Sequence, residues 1–422
     1  MKDVSQKLGN SALYILFLAG PILGLATKGF APLIALSGIL AISSLLMKPP
    51  LLIKIDWKRV APALPFLVFA GLSLLWSDAE GGSRSLLVFI SVIIFTFSLI
   101  FVFLETSEEW KKKYRKYLSF SLLIGILVSL GVGAYSIVWP ELVNISEQFS
   151  SQTDLGNIEL LRQSNRSLSM TPAILFLLAG FYWKQARWLV IALFSGAFFV
   201  IANSNSQTAF LALIGGSAAI PFAYLFKYSQ RKLILALTTI GLLTSPIIFL
   251  KSFEHKWVER YAPEIVQKKA SGEYRQWIYF VFAKEISSNP LLGHGFKSTH
   301  NAQLENLDTY VDLAQQRKIN SAINNATKSG TVAAHAHNFP LQMIFELGYI
   351  GAILFLGVLW TLLNIRFEAQ GRPPRAAAFT ASIGLLLFAF SIWQSWLLAC
   401  TGFILFYMIV LYGKQRVSVG PN

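Results

Sequence analysis

The apolar residues of this chain come in blocks of roughly 18 to 24, and that one property restricts it to a single class of fold. A hydrocarbon core ~30 Å thick is crossed by about 20 helical residues. Inside it the backbone has no water to bond, so a spanning block must satisfy its amides as a helix or in a closed barrel. A barrel would show alternating segments of about 10 residues, a pattern the sequence lacks. Composition agrees: 54% of residues are hydrophobic and only 14% charged, with a mean hydropathy of +0.54. A soluble globule carries about 25% charged residues. The expectation is an all-α polytopic membrane protein.

The blocks predict about twelve transmembrane helices, near 11–27, 30–47, 61–77, 85–104, 117–139, 167–183, 188–202, 207–226, 232–250, 338–363, 376–392 and 395–412. Very short connections join the first pair and the last pair, where a re-entrant pair would change the number. Three regions follow: nine helices in 1–250, a large outer segment in 251–337, and three helices in 338–422. No small-x-small site closes the first apolar run, so a cleavable leader is not expected.

Basic residues orient the chain. With the N-terminus cytoplasmic, alternate connections hold Lys48, Lys54, Lys58 and Arg59, then Lys111 to Lys113 with Arg115 and Lys116, then Lys184 and Arg187, and later Arg366, Arg372 and Arg375. The opposite short loops, TKGF, SDAEGGSR, NSNS and WQS, are poor in base. By the positive-inside rule both termini are cytoplasmic, and the segments 140–166 and 251–337 lie outside. The net charge of +15 is then mostly topology, and nucleic acid is not an expected partner. The lone cysteine, Cys400, falls inside an apolar block and is read as a small hydrophobe.

The outer segment holds all five histidines and has helical patterning of its own. YRQWIYFVFAKEISS at 274–288 reads as a helix stopped by Asn289-Pro290, and PLLGHGF as a glycine-containing turn. Residues 301–320 read as an amphipathic helix with Leu304, Leu307, Val311 and Ala314 on one face.

Ionisable groups are scarce in the spans, and Glu346 is the one carboxylate well inside one. An ion-coupled transporter would place several such groups around a midplane site. Here polar residues gather at outer helix ends. In HAHNFPLQMIFELGYIG, residues 335–351, Asn338, Gln342 and Glu346 are spaced by four and stack on one helix face just after His337. Gly348 and Gly351 allow close helix packing. The stripe reads either as a capped helix with structural polar residues or as a support for a catalytic histidine at the membrane surface. Arg162 and Arg166, Asn203 to Gln207, and Arg275 also sit at outer helix ends. Arginine donates a bidentate fork to a diphosphate, and a neutral histidine can take a proton from a hydroxyl. His335 and His337 could instead supply metal ligands with His294 or His300, but no acidic cluster accompanies them and no metal or other cofactor is expected.

The segment HAHNFPLQMIFELGYIGA resembles the H-x-H-N…L-Q…E-L-G…G signature of the bacterial O-antigen ligase and polymerase superfamily, the ligase branch most closely. YRQWIYFVFAKEISSNPLLGHGF is similar to the family's R-x-x-W…P-L-x-G-x-G element, and Asn165-Arg166-Ser and Ser206-Gln207-Thr208 to two shorter ones. The resemblance covers roughly the C-terminal two thirds. It implies a GT-C-like membrane glycosyltransferase with a long, partly helical periplasmic loop, located in the bacterial inner membrane. Such a ligase moves a glycan from undecaprenyl pyrophosphate to lipid A-core oligosaccharide in lipopolysaccharide biosynthesis, without nucleotide sugar or metal. It further implies His337 as general base and Arg275 as pyrophosphate clamp. Arg166, Arg162, Gln207, Asn338 and His335 would contact substrate, with Gln342 and Glu346 behind them. The family often carries Arg or Lys where Gln207 stands, so another base such as Arg162 or Lys297 would compensate, or the donor differs. A polymerase of lipid-linked repeats and a lipid-linked glycan flippase are the alternatives.

Overall fold

The computed structural model describes residues 2–47, 61–138, 155–204, 206–225, 230–256, 271–299, 304, 306–317, 319, 323, 332, 336–363, 372–388 and 391–413. Its elements are helices. They are α1 Lys2–Ile15, α2 Ala19–Leu25, α3 Phe30–Leu46, α4 Leu64–Leu72, α5 Gly82–Glu105, α6 Glu108–Val138, α7 Leu155–Tyr182 and α8 Arg187–Asn203. There follow α9 Gln207–Leu225, α10 Gln230–Glu254, α11 Ser271–Glu285, α12 Leu307–Gln316, α13 Phe339–Leu363, α14 Arg372–Phe388 and α15 Ser395–Tyr412. Among the described residues seven segments are long and apolar enough to cross a bilayer: Asp3–Leu25, Thr27–Leu46, Gly82–Glu105, Glu108–Val138, Leu235–Glu254, Phe339–Leu363 and Ser395–Tyr412. Shorter apolar helices occupy Ala61–Trp76, Arg187–Asn203 and Thr208–Tyr224. The chain is a multi-pass membrane protein.

Two cores organise the helices. The larger gathers α1 to α3, α5 to α9, α14 and α15. Lipid tails are as apolar as leucine, so such helices associate through close packing and hydrogen bonds more than through burial. Both devices are present. A Cβ on Gly20 would lie 1.9 Å from the carbonyl oxygen of Ser121, and one on Gly125 2.3 Å from that of Gly20, so α2 and α6 touch backbone to backbone. Ser167 donates to Leu23 O at 2.5 Å and to Ser129 Oγ at 2.7 Å, while Ser119 and Tyr407 hydroxyls meet at 2.8 Å.

The smaller core joins α4, α10, α11, α12 and α13 with Phe296, Ile392 and Trp393. Here α11 and α12 form a cap over one end of α10 and α13. Aromatic pairs fasten it: Phe253 stacks on Phe280 at 4.4 Å, Phe249 meets Tyr279 at 4.8 Å, and Phe282 meets Phe345 edge-on at 4.9 Å. The expected helix at 274–288 is α11, and the amphipathic one is α12, shorter than the 301–320 read from the sequence.

The expected span at 338–363 is α13, but it is not one regular helix. Gly348 has φ 63° and ψ −176°, so the helix breaks there. In an unbroken helix the N–H groups of Tyr349 and Ile350 would bond the carbonyls of Phe345 and Glu346. The loop 290–295 takes both sides of that exchange. Phe345 O accepts from His294 N at 2.8 Å and Glu346 O from Gly295 N at 2.8 Å, while Tyr349 N donates to Pro290 O at 2.8 Å and Ile350 N to Leu291 O at 3.2 Å. A Cβ at residue 348 would sit 2.0 Å from Leu291 O, so glycine is demanded by contact as well as by φ. Beyond the break, Gly351 lies against Phe69 and Gly357 against Pro62, so the distal half of α13 runs antiparallel to α4. The break therefore lies level with the Trp76 end of α4, where Ser77 Oγ donates to Phe296 O at 2.7 Å. Glu346 lies two residues before the break, within the candidate span Phe339–Leu363.

Candidate active site

His337 stands immediately before α13, half-buried, with φ 51°. A non-glycine residue in left-handed geometry costs about 1–3 kcal/mol and persists where its surroundings enforce it, often at functional sites. Two neighbours enforce it here. Asn338 caps α13: its Oδ1 accepts from Leu341 N at 3.0 Å and its carbonyl from Gln342 N at 2.9 Å. Tyr279, on α11, donates its hydroxyl to His337 O at 3.2 Å. Burial pushes the Tyr279 phenol up to about 12, and the Arg275 charge works against that rise. Tyr279 lies one helical turn after Arg275, so α11 carries the arginine and grips the histidine with the same face.

Behind the histidine the expected stripe is fully buried. Glu346 Oε1 accepts from Thr299 Oγ1 and from Gln342 Nε2, the latter at 2.9 Å, and Oε2 accepts from the Trp393 indole. Gln342 Nε2 also donates to Ser391 Oγ at 3.0 Å, and its Oε1 accepts from Ile392 N at 3.3 Å. Three segments meet on one carboxylate: the loop after α11, α13 itself, and the turn between α14 and α15. A buried carboxyl group is tolerated because three donors meet its two oxygens.

The other candidates group around α7 and α9. Arg166 is half-buried on α7. Ser169 Oγ accepts or donates at 3.3 Å to Ser206 Oγ, which brings the Asn165-Arg166-Ser and Ser206-Gln207-Thr208 elements together. α14 packs on both α7 and α9, and the turn before α15 supplies Ser391 and Trp393 to the Gln342–Glu346 cluster. The described contacts thus join His337 to Arg275 through Tyr279, and Arg166 to the start of α9. His335 and the side chains of Arg162 and Gln207 lie outside the described residues. Lys297 extends to Glu80 O at 3.1 Å, bracing the loop on the α4–α5 turn. His294 stacks on Phe345 with centroids 4.3 Å apart. Among the described residues no three His, Cys, Asp or Glu converge on a metal position.

Sequence reasoning missed Tyr279, Thr299, Ser391 and Trp393. Tyr279 had a signal, its four-residue spacing from Arg275. The others lie far from α13 in the chain, and only the fold brings them to Glu346. An open apolar cleft of about 500 Å³ between α4 and α13, lined by Leu64, Val68, Phe69 and Leu354, has no polar group for chemistry.

Relatives carry the same kind of name. A protein of Rickettsia felis called "Putative polysaccharide ligase" is 27% identical over 333 residues, 78% of this chain and 75% of its own. Another so described, from Rickettsia typhi, is 25% identical over 283 residues, 66% of this chain and 64% of the relative. A third, from Rickettsia prowazekii, is 25% identical over 201 residues, 47% of this chain and 46% of the relative. The chain spans less than two thirds of the length of the second and third. No solved structure matches. The O-antigen ligase family model matches residues 189–356, which include Gln207, Arg275, Tyr279, His337 and Glu346. The stretch similar to that family thus runs from α8 into the distal half of α13 and includes the cap, His337 and Glu346.

Proposed function

We propose that this protein is an inverting glycosyltransferase of O-antigen ligase type. It crosses the inner membrane twelve times with both termini cytoplasmic, and it works at the periplasmic face. The donor is a glycan on undecaprenyl pyrophosphate and the acceptor is lipid A-core oligosaccharide. The His337 imidazole accepts the proton of the acceptor hydroxyl as its oxygen bonds the anomeric carbon. The bond from that carbon to the pyrophosphate oxygen breaks, and the electron pair leaves with the diphosphate. Attack from the opposite face inverts the centre. Arg275 and Arg166, with Arg162, neutralise the charge growing on the leaving group, which fixed donors do best where little water competes. The observation that carries this reading is the single hydrogen bond through Tyr279, which sets a left-handed histidine beside the helix that bears Arg275.

The test is a reconstituted assay with the purified chain, a polyprenyl-pyrophosphate glycan and lipid A-core, with and without chelator. Transfer to lipid A-core is expected, unaffected by chelator. General-base catalysis is worth about 10²–10⁴-fold, so His337→Ala should lose activity on that scale while remaining folded. Wild-type turnover in that variant, or in Arg275→Ala, would remove the residue from the mechanism. A second reading is polymerisation of lipid-linked repeats, since the matching family elements are shared by ligases and polymerases. The same assay identifies it by chain growth on the carrier.

A further inference from the structure

The loop that pairs with the broken span also carries two exposed leucines. Leu291 is 62% and Leu292 48% exposed. They are not stray surface residues, because the backbone fixes their height. Pro290 and Leu291 carbonyls bond Tyr349 and Ile350, so the tip lies beside the first turn of the distal half of α13. On that half Ile350 and Ile353 are also exposed, Ile353 at 56%. The backbone pairing thus sets two exposed leucines beside two exposed isoleucines of a candidate membrane span.

Much of the backbone around the tip is bonded within the protein, which lowers the cost of bringing it near lipid. Ser287 Oγ donates to Lys284 O at 2.6 Å and Ser288 Oγ to Glu285 O at 2.7 Å, so side chains satisfy the carbonyls at the end of α11. Gly293 N donates to Asn289 O at 3.0 Å, and the Pro290 and Leu291 carbonyls are taken by α13. Lys284, Ser287, Ser288 and Asn289 are exposed just above the leucines. Apolar tip and polar collar follow the depth profile of an interface, with acyl chains below and headgroups above.

We propose that Leu291 and Leu292 insert among the acyl chains of the leaflet on the cap side and seat the cap on the bilayer. The tip ends the segment that begins as α11, so its depth sets the height of Arg275 and Tyr279 above the membrane. The partner is the lipid itself, contacted by a loop rather than by a spanning helix.

The test is site-directed spin labelling of the full chain in nanodiscs of phosphatidylethanolamine and phosphatidylglycerol. Cys400 is fully buried, and the parent chain is first checked to remain unlabelled. Nitroxides are placed by Leu291→Cys, Leu292→Cys, Ile353→Cys and Lys284→Cys. Positions 291 and 292 should relax with dissolved oxygen and resist a polar nickel chelate, as 353 does, while 284 shows the reverse. Nickel access at 291 and 292 equal to that at 284 would place the tip in water and overturn the proposal. Protection from both reagents would overturn it too, since it would mean that protein covers the leucines, whether a second copy or another segment. Two adjacent labels guard against one substitution disturbing the turn.

Discussion

The two cores use polar groups in opposite ways. In the larger core, hydroxyls of Ser167, Ser129, Thr171 and Ser119 stitch neighbouring helices, each bonding to a nearby hydroxyl or carbonyl. No strained backbone accompanies them, and each bond is worth little: membrane interhelical hydrogen bonds average about 0.6 kcal/mol. The smaller core places a carboxylate, a broken helix and a left-handed histidine within a few turns of one another. Its bonds are interdependent, because the loop that repairs the break also carries Thr299 to Glu346. Distributed weak contacts tolerate change; a concentrated, strained arrangement fixes geometry and is sensitive to single substitutions.

The widest separation between the cores should come from Gly348→Val. A Cβ there meets Leu291 O, and a branched side chain at φ 63° is strained, so a loss of several kcal/mol is expected. Hydrogen exchange should rise through 271–299 and 339–363 while α5 and α6 stay protected; uniform loosening would mean the cores are one unit. Glu346→Leu comes next. It orphans the donors of Thr299, Gln342 and Trp393, at about 1–3 kcal/mol for each that finds no other partner. The melting temperature should fall, and Gln342→Met should fall less. Asn338→Ala removes the cap of α13 and should cost about 1 kcal/mol. It should also reduce transfer by freeing the His337 backbone, which separates it from a purely structural loss of similar size. The smallest change is Ser129→Ala, within about 0.6 kcal/mol and with activity unchanged. A large loss of transfer from Ser129→Ala would break the contrast.

The sequence conveyed these two regions unequally. Helices of the larger core are visible because hydropathy over 18 or more residues is the same quantity the bilayer selects. The stripe Asn338, Gln342, Glu346 was legible as well, since its spacing of four needs only local helix geometry. What stayed hidden is the consequence of Gly348. In LGYIG a glycine between apolar residues suits close packing or a reversed φ, and hydropathy does not register the sign of a dihedral. The partners that repair the break lie at 290–295, more than fifty positions earlier, so no local pattern pairs them. Trp393 was hidden for the same reason: an indole in an apolar stretch looks like filler until a carboxylate is found opposite it.

The repaired break also dictates an order of events as the chain enters the membrane. A carbonyl released where water is scarce has little else to bond, so the break within Phe339–Leu363 is stable only with the 290–295 loop in place. Only when α11 has folded and its loop arrives can the bonds within residues 345–350 be exchanged for bonds to 290–295. The arrangement around His337 and Glu346 would therefore be completed late, once the 290–295 loop has docked on the break. A chain stalled before that swap would be inserted, protease-resistant across its spans, and inactive.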